Sequence, residues 1–451
     1  MLSLIAEAVD NRSARGIAAA VSRLVTAGRL PAGTRLPTVR DVARELGVSP
    51  TTVSEAWGSL SRAGAIQTRG RSGTYVSGPA RRNLRYARLG SAPAGAPHDL
   101  STGVPDHDLL PDLTDALHGL GAARLTSSYL DAPVLPELEA VLRDRWPFRP
   151  AQLTVVDGAL DALDRIVAAT VRLGDHVLVE NPAFPPMLDL LDAVGATVVG
   201  VAVDEAGLCP GPLAAALTGY APVAVFLQPR AHNPTGASMT AARAAELAQV
   251  LAAHPGVTVV EDDHAGDIAT APPVSLGTHL PDRTVHVSSF SKSHGPDLRL
   301  AAIGGPAPVV SAVADRRLLG PGWSSRLLQA VLLHLLTSPS AVARVAAARD
   351  EYARRRACLL TALAAHGARA TAGDGINLWL SVQDQQFAML TLAAHGIAAA
   401  PGEPFLVTPL GTEHLRVTVG LVRDGFDALA AILATAAAGR ARTSPHPRGW
   451  R

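Results

Sequence analysis

Between residues 38 and 64 apolar side chains recur at helical spacing, first as Val39, Val42, Ala43 and Leu46, then as Val53, Trp57 and Leu60. Thr38 is placed to cap the first helix and Gly47 to end it in the left-handed conformation. Ser49 caps the second helix, whose first position is Pro50, where a missing N–H costs nothing. Two helices joined by Gly47-Val48-Ser49 make a helix-turn-helix, with Thr51, Thr52, Ser54 and Glu55 on the exposed first turns of the second helix. AIQTRGRSGTYV then predicts a hairpin with a basic tip. From Pro79 to Pro97 no apolar face is sustained, which predicts a linker carrying Arg81, Arg82, Arg85 and Arg88. Beyond His98 the pattern changes. Apolar β-branched runs at 176–180, 196–203, 221–228, 257–263 and 283–289 alternate with Ala- and Leu-rich helical stretches. Short buried strands alternating with helices predict a mostly parallel α/β sheet with helices on both faces. The expected organisation is a small winged helix-turn-helix domain over 1–78, a linker over 79–97 and an α/β domain over 98–451.

Charge sharpens this division. Residues 1–90 hold fourteen Arg against five acidic side chains, a net +9, whereas the remainder holds 26 basic against 34 acidic side chains, a net −8. A basic first part suits a polyanion such as double-stranded DNA. No run of about 18 apolar residues occurs, so no membrane span is expected. The acidic start, with Glu7 and Asp10, is unlike a signal peptide, and two cysteines make neither a disulfide framework nor a Cys-rich metal site. A cytoplasmic protein without a metal is the expectation.

One count narrows the chemistry. Of forty basic residues thirty-nine are Arg, and Lys292 stands alone. Where only charge is required, Arg has replaced Lys; a guanidinium cannot form a Schiff base, but a desolvated lysine amine can. In open α/β sheets ligands bind beyond the carboxyl ends of the strands. There this chain places QPRAHNPTG, EDDHAGD and SSFSKSHGPDLR after successive strands. An amine, a carboxylate, an amide and phosphate-binding groups in one crevice are what pyridoxal phosphate requires.

The string from Leu30 to Val76 resembles the winged helix-turn-helix of GntR-family transcription regulators over its whole length, and Asn233, Asp262, Lys292 and Arg299 stand in the order of fold-type I aminotransferases. The chain therefore resembles the MocR-type regulators, which fuse the two parts. The resemblance implies DNA contacts at Arg35, Arg40, Ser49, Thr51, Thr52, Arg69, Gly70, Arg71 and Gly73, with Pro50 departing from a usually basic or polar position. It implies Lys292 as the Schiff-base lysine, Asp262 as the partner of the pyridine nitrogen and Asn233 on the phenolic oxygen. Ser289, Ser291, Arg299, Gly158 and Ala159 match the phosphate site, Phe184 the ring-stacking aromatic, and Arg416 the arginine that grips an α-carboxylate. His264 replaces the usual tyrosine, and its imidazole can also donate to the cofactor. DAPVLPEL at 131–138 replaces a Gly-containing stretch and is expected to stiffen the substrate entrance through Pro133 and Pro136, while STGVPDHDLLP at 101–111 is expected to lie over the site.

Three functions follow from these residues. One is a homodimeric regulator of double-stranded operator DNA that carries pyridoxal phosphate and senses it or an amino compound. The second is a working aminotransferase with a DNA-binding extension. A third is a regulator that keeps the fold without the cofactor.

Overall fold

The computed structural model describes residues 1–68, 73–77, 84–89, 97–120, 128 and 131–439. The described residues up to 77 fold as four helices, Leu2–Ala8, Ala14–Thr26, Val39–Leu46 and Pro50–Arg62, followed by strands Ile66–Thr68 and Thr74–Val76 paired antiparallel. The caps act as their residue types dictate: Thr38 Oγ1 accepts from Asp41 N at 3.2 Å, Ser49 Oγ accepts from Thr52 N at 3.1 Å, and Gly47 ends its helix at φ 67°. Val42, Leu46, Val53, Trp57 and Leu60 close on Ile17, Val21, Ile66 and Val76 to form this region's own core.

Residues 152–305 build an eight-stranded sheet. Its spatial order is Gln152–Val156, Ala301–Gly305, Thr284–Ser289, Thr258–Asp263, Ala224–Leu227, His176–Asn181, Thr197–Asp204 and Gly207–Leu208. The five strands from Thr284–Ser289 to Thr197–Asp204 are mutually parallel, and Ala301–Gly305 runs antiparallel to both of its neighbours. Side chains alternate between faces as the two-residue period requires. Val177, Val179, Phe226 and Val260 pack against helix Ala159–Thr170 and helix Pro185–Val194. Their neighbours Leu178, Val225, Leu227 and Val259 pack on the opposite face against helices Pro210–Tyr220 and Ala241–Ala252. Both faces are therefore covered.

A second layer follows. Strands Leu378–Val382, Glu413–Val417 and Ala400–Pro401 form a three-stranded antiparallel sheet packed on helices Pro339–Ala365, Gln385–Ala394 and Phe426–Ala438. The N-terminal region is seated on the large domain through the ion pair Arg15–Asp175 at 2.9 Å, a hydrogen bond from Arg62 to Thr197 Oγ1 at 3.1 Å, and Leu173 packed against its core. Among the described residues no single helix is long and apolar enough to cross a membrane.

Val134, Leu135 and Leu138 are buried with Trp146, Leu153 and Leu332, and the Pro133 carbonyl accepts from Gln329 at 3.0 Å. None of residues 131–138 lines the cavity described below. The two prolines stiffen a core segment rather than the entrance, because Val134, Leu135 and Leu138 supply apolar area that packs inward.

Candidate functional site

Parallel pairing sets Glu261 against Leu227 and Asp262 against Val287, so the carboxyl ends of three neighbouring strands open at one level. Beyond them lies a cavity of about 550 Å³ lined by Lys292, Asp262, Asn233, His264, Ser289, Ser291, Arg299, Phe184, Ala159 and Arg416. These residues are up to 257 positions apart in sequence; the order of the large sheet and the packing of the three-stranded sheet, which carries Arg416, bring them together.

Asp262 is 6% exposed. Its Oδ2 accepts from Gln228 Nε2 at 2.8 Å, whereas Oδ1 is buried without a partner. Burial raises the carboxyl to about 6, with Gln228 opposing the rise and Asp263 adding to it. Asp263 points to the other face, where Arg230 meets it at 2.5 Å; burial would raise this carboxyl, but Arg230 and His286 together hold it below its ordinary value. Adjacent acids thus receive opposite treatment from the pleat. Lys292 donates to the Gly103 carbonyl at 2.5 Å, and burial lowers its amine to about 8, with Arg416 adding to the fall and Asp262 opposing it.

Gln228 links two ligand positions. Its amide nitrogen holds Asp262, its amide oxygen accepts from Asn233 N at 2.7 Å, and its own backbone N–H donates to buried Glu180 at 2.8 Å. Asn233 Oδ1 is left buried and unpartnered. His264 Nε2 lies 2.9 Å from the Ala231 carbonyl, which can only accept, so this nitrogen carries the proton. Burial, followed by the charge of Lys292, lowers the imidazole to about 4. A neutral ring has a single N–H, and the backbone takes it. The expected donation from His264 to a cofactor is therefore not available in this tautomer.

At the opposite wall, strand Gln152–Val156 runs into helix Ala159–Thr170 through Gly158 at φ 102°. A Cβ there would stand 2.8 Å from Arg299 Nη2, so only glycine leaves room for the guanidinium beside the helix N-terminus. Arg299 itself donates to the Asp157 carbonyl at 3.3 Å, and Ser291 N donates to Ser289 Oγ at 3.4 Å. Serines, a guanidinium and a helix N-terminus form an anion cradle. Arg416 is 2% exposed, donates from Nη2 to the Ser101 carbonyl and lies 5.4 Å from the centre of the Phe405 ring. Burial lowers it to about 10, with Tyr86 and Asp99 opposing the fall.

The residues fit pyridoxal phosphate. The buried, unpartnered Asp262 Oδ1 suits a protonated ring nitrogen, and the Gly158 cradle suits a phosphate. Of the 101–111 string only Ser101, Thr102, Gly103 and Val104 line the cavity, whereas His107, Leu110 and Pro111 line a separate one. Sequence reasoning did not single out Gln228, although it is the first residue beyond its strand, nor Tyr86, Ala87 and Leu89, which also line the cavity from a stretch without periodic signal.

On the N-terminal region Arg35, Arg40, Ser49 and Thr51 are exposed and Thr52 half-buried along one helix-turn-helix. Ser49 Oγ and Thr52 Oγ1 are 2.8 Å apart, so both hydroxyls are engaged in the cap. Gly73, at φ 106°, leaves room for Arg35, whose Nε would be 2.9 Å from a Cβ there. Arg69, Gly70 and Arg71 lie outside the described residues.

Comparison with known proteins agrees with this construction. Residues 97–433 match the family model for aminotransferases of class I and II, and residues 13–76 the model for bacterial regulatory proteins of the gntR family. The vitamin B6 salvage pathway transcriptional repressor PtsJ of Salmonella typhimurium is 37% identical over 92% of this chain and 96% of its own length. The HTH-type transcriptional regulator TauR of Rhodobacter capsulatus is 30% identical over 85% of this chain and 88% of its own. Among solved structures, aspartate aminotransferase from Thermus thermophilus with maleate superposes with a TM-score of 0.66 at 24% identity, covering 75% of this chain and 91% of that one. A GntR DNA-binding domain joined to an aminotransferase fold, with relatives of this length and identity, makes the chain a member of the MocR-type transcription regulators.

Proposed function

We propose that this regulator binds pyridoxal phosphate in the cavity and reports its presence to operator DNA. The observation that carries the reading is the chain's one lysine, half-buried at the strand ends with its amine lowered to about 8 and lining the same cavity as Asp262. Pyridoxal phosphate, when bound, supplies an aldehyde that a neutral amine captures and a ring that withdraws electrons. Burial brings the Lys292 amine closer to its neutral, reactive form. Asp262, backed by Gln228, holds a proton on the ring nitrogen. Asn233 takes the phenolic oxygen, Phe184 the ring face, and Arg299, Ser289, Ser291 and the turn at Gly158–Ala159 the phosphate. His264 packs beside them as a neutral imidazole.

The effector is the cofactor itself in this reading. The name of PtsJ, a repressor of vitamin B6 salvage, points this way. The active molecule is a homodimer, supported by exposed apolar side chains at Leu318, Leu319 and Leu327. Arg35, Arg40, Thr51 and Thr52, with Arg69, Gly70, Arg71 and Gly73 of the wing, meet the operator. One observation favours turnover instead: Lys292 and Arg416 share the cavity, as an aminotransferase requires.

The test is to add pyridoxal phosphate, fix it with borohydride and map the modified peptide. Attachment at Lys292, together with a changed affinity for an operator duplex selected from a random pool, supports the reading. Absence of attachment removes it, and amino-group transfer to a keto acid supports the aminotransferase.

A further inference from the structure

The cavity has a roof that belongs to neither domain. Helix Arg85–Leu89, in the linker, contributes Tyr86, Ala87 and Leu89 to the lining. It is fastened at two places. Backbone N–H groups of Arg85 and Tyr86 both donate to the Asp189 carboxylate at 3.0 Å, and the Arg85 guanidinium pairs with Asp192. At the other end Arg88 pairs with Glu403, and Leu89 is buried with Trp379 and Phe405.

Each fastening point adjoins a residue that lines the ligand site, Phe184 in one case and Arg416 in the other. Asp189 and Asp192 lie on helix Pro185–Val194, which begins directly after Phe184; Phe405 carries the Arg416 guanidinium over its ring. The far end of that same helix reaches the seat of the DNA-binding region. A Cβ on Gly195 would stand 3.2 Å from Ala63 Cβ, and Thr197 holds Arg62. A ten-residue helix is about 15 Å long and moves as one body. One helix therefore touches the cavity at its start, the linker along its middle and the DNA-binding region just beyond its end.

We infer that helix Pro185–Val194 and the linker helix latched to it form the relay between cavity and DNA-binding region, with Tyr86 as the side chain through which the roof reads the occupant. This rests on pyridoxal phosphate being that occupant. Tyr86 is 56% exposed, so its ring stands at the mouth, where it contributes little to the fold. An occupant closes the roof, and the roof holds the occupant. By reciprocity, the occupant changes operator affinity by the same factor as the operator changes the affinity for the occupant, and the latch is the element that connects the two.

The experiment compares full-length wild type, Asp189→Ala and Tyr86→Ala. Two quantities are read: the release rate of pyridoxal phosphate after dilution, and the ratio of operator affinities with and without it. Removing the acceptor of two charge-assisted hydrogen bonds is expected to speed release about tenfold. In both variants the affinity ratio falls towards one, while operator binding without pyridoxal phosphate stays at the wild-type level. Tyr86→Ala keeps the test decisive should Asp189→Ala fold poorly. If wild type is fixed at Lys292 and couples to DNA, but Tyr86→Ala releases and couples as wild type does, the relay is overturned and the cofactor reading survives. If wild type is not fixed at Lys292 at all, the cofactor reading falls first and takes the relay with it.

Discussion

Lys292 permits a quantitative test, because it is the chain's single lysine and competes with no other side-chain amine. Burial, aided by Arg416, lowers its amine from 10.5 to about 8. The folded protein therefore disfavours the ammonium by about 3 kcal/mol, at roughly 1.4 kcal/mol for each tenfold change in proton affinity. At pH 7 about one molecule in ten holds the free amine, against roughly one in three thousand for an exposed lysine. Reductive methylation with formaldehyde and cyanoborohydride, followed by peptide mass, reads the reactive fraction. The rate at Lys292 is expected to rise tenfold per pH step up to about 8 and then level off. Arg416→Met moves the bend to higher pH by removing a positive neighbour. The sign of the stability effect is fixed too. A lysine with a folded value below its unfolded one destabilises the fold fully below about pH 8, and the penalty fades as pH rises towards 10.5. Cofactor-free Lys292→Met is accordingly more stable than wild type at pH 7, with the gap closing above pH 8. A labelling rate that climbs unbroken through pH 10 refutes the argument, since it would mean the amine is solvated as in a free chain.

Other consequences are read from single positions. Gly158→Ala drives a Cβ to 2.8 Å from Arg299 and strains a backbone at φ 102°, so retention of pyridoxal phosphate in dialysis is expected to weaken by about ten- to a hundredfold, from roughly 1–3 kcal/mol of strain and lost contact. Gly207→Ala, at φ 85° with nothing within 4 Å, reports the backbone contribution alone and leaves retention unchanged. Gln228→Leu removes the hydrogen bond that opposes the rise of Asp262, so that carboxyl moves above about 6, and the protonation change of the bound chromophore moves to higher pH in a spectral titration. Arg40→Ala lowers operator affinity evenly across sequences and reduces the slope of log affinity against log salt by about one, as loss of one phosphate contact requires; a change confined to one base position would instead assign Arg40 to base reading.

The amino-acid sequence by itself determined whatever depends on near neighbours. Thr38, Gly47, Ser49 and Pro50 cap and stop their helices within three residues of where they act, so both helix limits are visible in the string. The apolar runs at 176–180 and 257–263 specified strands covered on both faces, and the motifs at the strands' carboxyl ends announced an amine, an acid and an amide. Which groups meet was a different matter. Lys292 finds the Gly103 carbonyl 189 residues away, Arg416 finds Ser101 at a separation of 315, and Arg85 finds Asp189 at 104. Antiparallel Ala301–Gly305, inserted between Gln152–Val156 and Thr284–Ser289, carries the phosphate turn to the lysine, and no local pattern encodes that insertion. The linker helix has too few apolar positions for a periodic signal and takes its place from Asp189 and Phe405. Local hydrogen bonds and hydrophobic period are written in successive residues, whereas pKa, tautomer and roof arise from burial and partners that exist only once distant segments have packed.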